Sequence, residues 1–302
     1  MYEHFFGVRE MPFSLAPDTQ YFFCHQGHQE ALNVLLVALN SGEGFVKITG
    51  EVGTGKTLLC RELLNRLGDN FQTAYIPNPY LSPVSLRKAL AEELGIDTHW
   101  LSDHELLKSI NRRLIELNEQ GKRVVVCLDE AQSIPDQTLE ALRLLSNLET
   151  EKRKLLQIVL FGQPELDEKL AKSRNRQLRQ RIVYSYELQP LDLSRVTHYL
   201  EHRLRIAGYN GEPLFHRDAI AQIYKASGGI PRLVNILSNK SLLLAFGKGE
   251  RRINAAHVKQ AVNDTDGLEA SPLLREQIVN IGLGLGTFAM LATAWWLWSH
   301  ML

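Results

Sequence analysis

Residues Gly50-Glu51-Val52-Gly53-Thr54-Gly55-Lys56-Thr57 carry the densest chemistry in the chain. They fit G-x-x-x-x-G-K-[ST] without mismatch. Glycines at these places let the backbone wrap closely around an anion and turn its N–H groups inward. Lys56 adds a cation able to reach the β- and γ-phosphates of a nucleotide, and the Thr57 hydroxyl is a ligand for Mg²⁺. The phosphate-binding set expected here is Gly50, Glu51, Val52, Gly53, Thr54, Gly55, Lys56, Thr57 and Leu58. Leu58 lies in the first turn of a following helix, whose positive end faces the same phosphates.

A metal held by one hydroxyl needs an acidic partner. The stretch "KRVVVCLDEAQSI", residues 122–134, supplies one. Residues 124–128 form a continuous apolar run, as in a central parallel strand covered on both faces. The run ends in Asp129-Glu130, and carboxylates at that edge of a strand sit beside the nucleotide crevice. Asp129 is expected to hold Mg²⁺ through water, and Glu130 to polarise the attacking water. The same pair also suits a plain strand end.

These groups must be carried by regular elements. Residues 45–49 read as a buried strand and 57–67 as a helix with Leu59, Leu63, Leu64 and Leu67 on one side. Further strands are expected at 72–76, 156–161 and 183–188, with helices at 83–94, 104–118 and 137–148. Alternation of this kind implies an α/β parallel sheet with right-handed crossovers. After "QPL" the pattern turns all-helical, with helices at 192–206, 216–226, 231–245 and 254–263. No internal repeat or low-complexity stretch interrupts it.

Three polar features accompany these elements. Gln163 follows the 156–161 strand, where it could meet a γ-phosphate or serve as a turn residue. The run "KSRNRQLRQRIVYSYEL" holds Lys172, Arg174, Arg176, Arg179 and Arg181. It is either a solvated face or a subunit face that inserts an arginine into a neighbour's site. Arg181 is the first choice for that finger and Arg179 the second. Arg232, in "SGGIPRLVNIL", sits where a helix dipole disfavours a cation. It is either a surface residue or a contact for an anion brought by the other domain.

Lys+Arg and Asp+Glu are both 34, and the sequence pI is about 7.2. There is no global basic field, so nucleic acid is disfavoured as a partner, though a local patch stays compatible with the composition. Cys24, Cys60 and Cys127 have no CxxC or metal spacing and read as small apolar residues in a reducing compartment. The start "MYEHFFGVREMPF" lacks a signal-peptide pattern.

The chain ends differently. Residues 278–298 are 21 positions without charge. At about 1.5 Å per residue they span a hydrocarbon core of about 30 Å. Trp295, Trp296 and Trp298 gather at one end as an interfacial belt, and Arg275 flanks the other. A transmembrane helix with its charged side in the cytoplasm is expected, in preference to a buried core helix. Gly282 and Gly286 form a G-x-x-x-G pair that permits close helix approach.

Together, the phosphate loop, the Asp-Glu strand end, a polar residue on the next strand, a basic cluster and "GIPR" in a helical lid resemble the AAA+ ATPases. The resemblance covers about residues 1–265. The opening "YEHFFGVREMPFSLAPDTQYFFCHQGHQEAL" is similar to secretion ATPases of the ExeA (general secretion pathway protein A) type. The loop region is similar to the MSHA-pilus biogenesis ATPases. The resemblance implies an ATP hydrolase with Asp129 and Glu130 as the Walker B pair. It places Gln163 at the first sensor position and Arg232 at the second. Gln163 departs from the Asn or Thr usual there. Pro12, Phe13 and Pro17 would cover the adenine, or Phe13 would serve packing alone.

The implied fold is a P-loop AAA+ three-layer α/β sandwich with a parallel sheet, a small all-helical lid and a C-terminal transmembrane helix. The expected domains are 1–190, 191–265, a linker at 266–277 and the span at 278–298. The implied cofactors are ATP and Mg²⁺. Expected partners are further copies of the chain, with nucleotide at subunit interfaces, and inner-membrane pilus or secretion assembly proteins, with lipid around the last helix. The implied place is the bacterial inner membrane, single-pass, with the ATPase domain cytoplasmic. ExeA-like relatives carry a periplasmic wall-binding domain after such a helix, and this chain stops four residues after Trp298. A DNA-binding transposition-type AAA+ regulator and a scaffold with little turnover are the alternatives.

Overall fold

The computed structural model describes residues 2–149 and 154–265. The expected linker 266–277 and span 278–298 lie outside the described residues. Among the described residues no helix is long and apolar enough to cross a membrane. The chain divides into two compact units. One is Leu15–Pro190, and the other joins the described residues before Leu15 to 191–265. A short helix, α1 (Glu3–Phe6), opens the chain in the second of these.

The α/β unit runs α2 (Gln26–Ser41), β1 (Phe45–Gly50), α3 (Lys56–Arg66), β2 (Phe71–Ile76), α4 (Pro83–Glu93) and α5 (Asp103–Glu119). It continues β3 (Arg123–Leu128), α6 (Asp136–Leu145), β4 (Leu156–Gly162), α7 (Glu165–Ala171), α8 (Arg176–Arg179) and β5 (Ile182–Leu188). The strands fall at the expected places, within a residue at either end. The helix expected to reach Leu148 stops at Leu145, and α2, α7 and α8 have no counterpart among the elements expected from sequence.

All five strands are parallel, in the order β2-β3-β4-β1-β5. Successive side chains of a strand point to opposite faces, and β3 shows the result. Val124, Val126 and Leu128 join Leu90 of α4, Ile110 of α5 and Leu142 of α6 in one core. Val125 and Cys127 join Leu35 of α2 and Leu59 and Leu63 of α3 in another. Both faces are covered, which is why this strand is apolar without alternation. Helix starts are set locally. Ser82 caps α4 with Pro83 in its first turn, and Ser102 and Glu105 close a capping box on α5. Each such cap contributes about 1 kcal/mol.

β4 lies between β1 and β3. The phosphate loop after β1, Asp129-Glu130 after β3 and Gln163 after β4 therefore leave the sheet along one edge. Ligands of open α/β sheets bind outside this carboxyl edge.

The helical unit contains α9 (Leu193–Ile206), α10 (Arg217–Ser227), α11 (Pro231–Gly247) and α12 (Ala255–Asn263). Gly229 has φ +76°, and a Cβ there would fall 1.9 Å from the Leu191 carbonyl oxygen. The close approach needs glycine, and Leu191 N–H donates back to the Gly229 carbonyl at 2.9 Å. Residues 1–14, expected with the α/β domain, group here instead. Arg203 is 3% exposed and explains why. Its guanidinium donates to the carbonyls of Pro12 (2.5 Å) and Ser14 (3.1 Å) and to the Tyr199 hydroxyl (3.1 Å). Phe13 is buried edge-on against Phe215, with ring centroids 5.9 Å apart, so it serves packing in this unit.

Candidate functional site

The phosphate loop connects a buried strand to a helix by way of two left-handed glycines, Gly53 (φ 84°) and Gly55 (φ 99°). Side chains other than glycine rarely adopt that region. Lys56 follows at the start of α3 and is 5% exposed. Its ammonium donates to the carbonyls of Gly50 at 2.7 Å and Glu51 at 2.9 Å. Burial pulls its pKa below the ordinary lysine value, while the carboxylates of Glu130, Asp129, Glu51 and Glu165 oppose the shift. A buried cation within a cradle of backbone groups suits a polyphosphate.

Thr57 and Asp129 meet directly. The Thr57 hydroxyl donates to Asp129 Oδ2 at 2.6 Å. The other carboxylate oxygen accepts from the Glu130 N–H at 3.0 Å. Tyr75 hydroxyl stands 3.5 Å from Oδ2. Asp129 is 3% exposed. Burial pushes its pKa up, against the lowering effect of the Thr57 and Glu130 hydrogen bonds. A buried carboxylate beside a hydroxyl is an oxygen-only donor pair that fits a hard cation such as Mg²⁺.

Glu130 has φ 52° and ψ 40°, a left-handed conformation in a non-glycine residue. Such strain costs about 1–3 kcal/mol and clusters at functional sites. Its Oε2 accepts from Gln132 Nε2 at 2.6 Å and from Gln163 Nε2 at 3.0 Å. Gln163 thus reaches the carboxylate from the end of β4. Gln132 Oε1 in turn accepts the Gln163 N–H at 3.0 Å.

The basic run divides by environment. Arg174 pairs with Asp136 at 3.0 Å. Arg181 donates to Ser146 Oγ at 2.6 Å and to the Arg143 carbonyl at 3.3 Å, at the C-terminal end of α6. A helix C-terminus favours a cation. Lys172, Arg176 and Arg179 are exposed, and the side chains of Arg176 and Arg179 make no hydrogen bond or ion pair among the described residues. Arg232 is exposed at the second position of α11, in the helical unit.

Four residues absent from the expected set touch the site. His28 of α2 is buried, with its Nε2 3.3 Å from the Thr54 carbonyl in the phosphate loop and its Nδ1 3.0 Å from the Phe23 carbonyl. Burial lowers its pKa, and these two carbonyls work the other way. Tyr75 stands at Asp129 and Gln132 at Glu130. Lys169 of α7 donates to the carbonyls of Gln132 (2.6 Å) and Ile134 (2.7 Å), fixing the turn after Glu130.

A parallel sheet with one strand between the phosphate-loop strand and the acidic strand, and this site at its edge, defines a P-loop nucleotide-binding protein. Residues 39–170 match the AAA domain family, and the chain contains such a domain. It is related to general secretion pathway protein A of Aeromonas hydrophila, at 40% identity over 300 residues, 99% of this chain. The chain spans 54% of the length of that relative. Among solved structures, the ORC2 protein of Aeropyrum pernix, in ADPNP-ADP complexes, superposes with a TM-score of 0.66 at 18% identity, covering 87% of this chain and 73% of that one. Cdc6p of Pyrobaculum aerophilum gives 0.64 at 19% identity, over 83% and 69%. The Walker-type ATPase PABY2304 of Pyrococcus abyssi gives 0.57 at 18% identity, over 93% and 79%. At these identities the superpositions establish the fold.

Proposed function

We propose that the chain is an Mg²⁺-dependent ATP hydrolase tethered to the inner membrane, and that it supports assembly of a secretion machine or a type IV, MSHA-type pilus. The observation that carries the hydrolase is the cluster of Lys56, Thr57, Asp129, Glu130 and Gln163 at one sheet edge. Lys56 and the loop N–H groups bind the phosphates. Thr57 and Asp129 would hold Mg²⁺, which when bound neutralises charge on the β- and γ-oxygens. Glu130 orients a water and takes its proton as that water attacks the γ-phosphorus.

Similarity to general secretion pathway protein A supports the secretion role. The uncharged stretch 278–298 supports the tether, with the ATPase unit cytoplasmic. The exposed basic residues Lys172, Arg174, Arg176 and Arg179 fit a contact between copies, with nucleotide at the interface. Arg179 is the freer donor for a neighbour's site, because Arg181 is already engaged on α6. Arg232 is proposed as a second contact to nucleotide, made from the helical unit.

Two measurements test this reading. Binding of a fluorescent ATP analogue should be lost in Lys56→Ala, since the loop offers phosphates no other side-chain cation. Wild-type affinity in that variant would overturn the phosphate assignment. Full-length protein should stay in the membrane fraction through a carbonate wash, and protein lacking 278–302 should not. A full-length chain that washes off would overturn the tether.

A further inference from the structure

We propose that Gln132 is a positioning residue for hydrolysis, holding the Glu130 carboxylate in register with Gln163. The inference rests on the hydrolase reading of this same site. Two carboxamide N–H groups, from Gln132 and Gln163, converge on Oε2 of Glu130. Oε1 has no partner among the described residues, so it is the oxygen left to meet water. Gln132 uses both ends of its amide, because its Oε1 accepts the Gln163 N–H. One side chain therefore ties the base after β3 to the polar residue after β4.

The place of Gln132 is itself built. Ala131 is fully buried in the core. Ser133 N–H and hydroxyl donate to the Glu130 carbonyl at 2.9 Å and 2.8 Å. Lys169 holds the carbonyls of Gln132 and Ile134. The turn is fixed at both ends, while the left-handed Glu130 lies between it and β3. The strained backbone and the paired amides together aim one carboxylate oxygen. In the step that follows, the water oxygen bonds to the γ-phosphorus as the bond to the bridging oxygen of ADP breaks, and the water proton passes to Oε1. Misplacing a reacting group by about 1 Å can cost about a hundredfold in rate.

The test uses full-length protein. Phosphate release over a range of Mg-ATP concentrations is measured for wild type, Gln132→Ala and Gln132→Glu, alongside binding of the fluorescent ATP analogue. Gln132→Ala should lower kcat about 10- to 100-fold, with KM and binding within about twofold of wild type. Gln132→Glu keeps the side-chain shape and has no N–H to give the Glu130 carboxylate, so it should lower kcat with KM and binding kept, as Gln132→Ala does. Wild-type kcat in either variant, or loss of binding together with turnover, would overturn the role. A wild-type chain that binds ATP and releases no phosphate would overturn the hydrolase reading itself and this role with it.

Discussion

The Thr57 hydroxyl donates to the Asp129 carboxylate at 2.6 Å, across 72 residues of sequence. One group opens the helix after the phosphate loop and the other closes the central acidic strand. Their meeting joins the two residues proposed to hold Mg²⁺, and it places a carboxylate where burial raises its pKa. A cation bound there offsets the cost of burying that charge.

Asp129→Asn keeps an oxygen to accept from Thr57 and removes the charge. ATP binding should lose its dependence on Mg²⁺, and turnover should fall about a hundredfold or more. Without nucleotide, the melting temperature should hold or rise, because a buried charge has gone. Titrating Mg²⁺ against ATP affinity and phosphate release checks this, and an unchanged Mg²⁺ requirement would contradict it.

His28 ties the phosphate loop to a pH window. Burial lowers its folded pKa below the ordinary 6.5. Between the two values the unfolded chain binds more protons, so stability rises with pH through that window. The share of stability from neutral His28 is full above about 6.5 and is lost as pH falls through the lowered value. His202 and His257 are shifted downward too, also by burial. Comparing wild type with His28→Gln cancels their share. The variant should show the shallower fall in unfolding midpoint below pH 6.5, and identical profiles would count against His28.

Arg179 and Arg181 should separate. Arg181→Ala removes contacts to Ser146 and Arg143 and should cost about 1 kcal/mol in stability by denaturant titration. Arg179→Ala should leave stability unchanged and lower turnover with binding intact. Mixing Arg179→Ala with Glu130→Gln subunits should restore part of the activity, since each supplies what the other lacks. No recovery in an assembly shown to mix would argue against a shared site.

The motifs and the strand placement were legible because they are local. The phosphate loop, Asp129-Glu130 and the apolar runs are contiguous, and each strand announces itself by length and burial. Helix α2 was missed although Ala31, Leu32, Leu35, Ala38 and Leu39 stand at helical spacing. With it went His28, whose contact to Thr54 lies 26 residues away. The pairing of Gln132 with Glu130 depends on a left-handed backbone at a glutamate, which residue type does not foretell. The grouping of residues 1–14 with the helical unit rests on Arg203 reaching Pro12 across 191 positions, a tertiary contact with no local signal.

That contact is itself open to test. Arg203→Met keeps much of the apolar stem and leaves the Pro12 and Ser14 carbonyls without their charged donor. Hydrogen bonds to charged groups contribute about 1.5–3 kcal/mol each. A loss of about 2–4 kcal/mol is expected, with proteolysis near residue 14 increasing. Unchanged stability would show that the N-terminal segment is held by its aromatic residues alone.

The most direct test of the account compares Glu130→Gln with wild type for ATP affinity and phosphate release on the same preparation. The substitution keeps the shape and removes the proton acceptor. ATP affinity should stay within a few-fold, and turnover should fall by about 10²–10⁴. Turnover near the wild-type rate, with ATP still bound, would contradict the assignment of Glu130 and the hydrolytic site built around it.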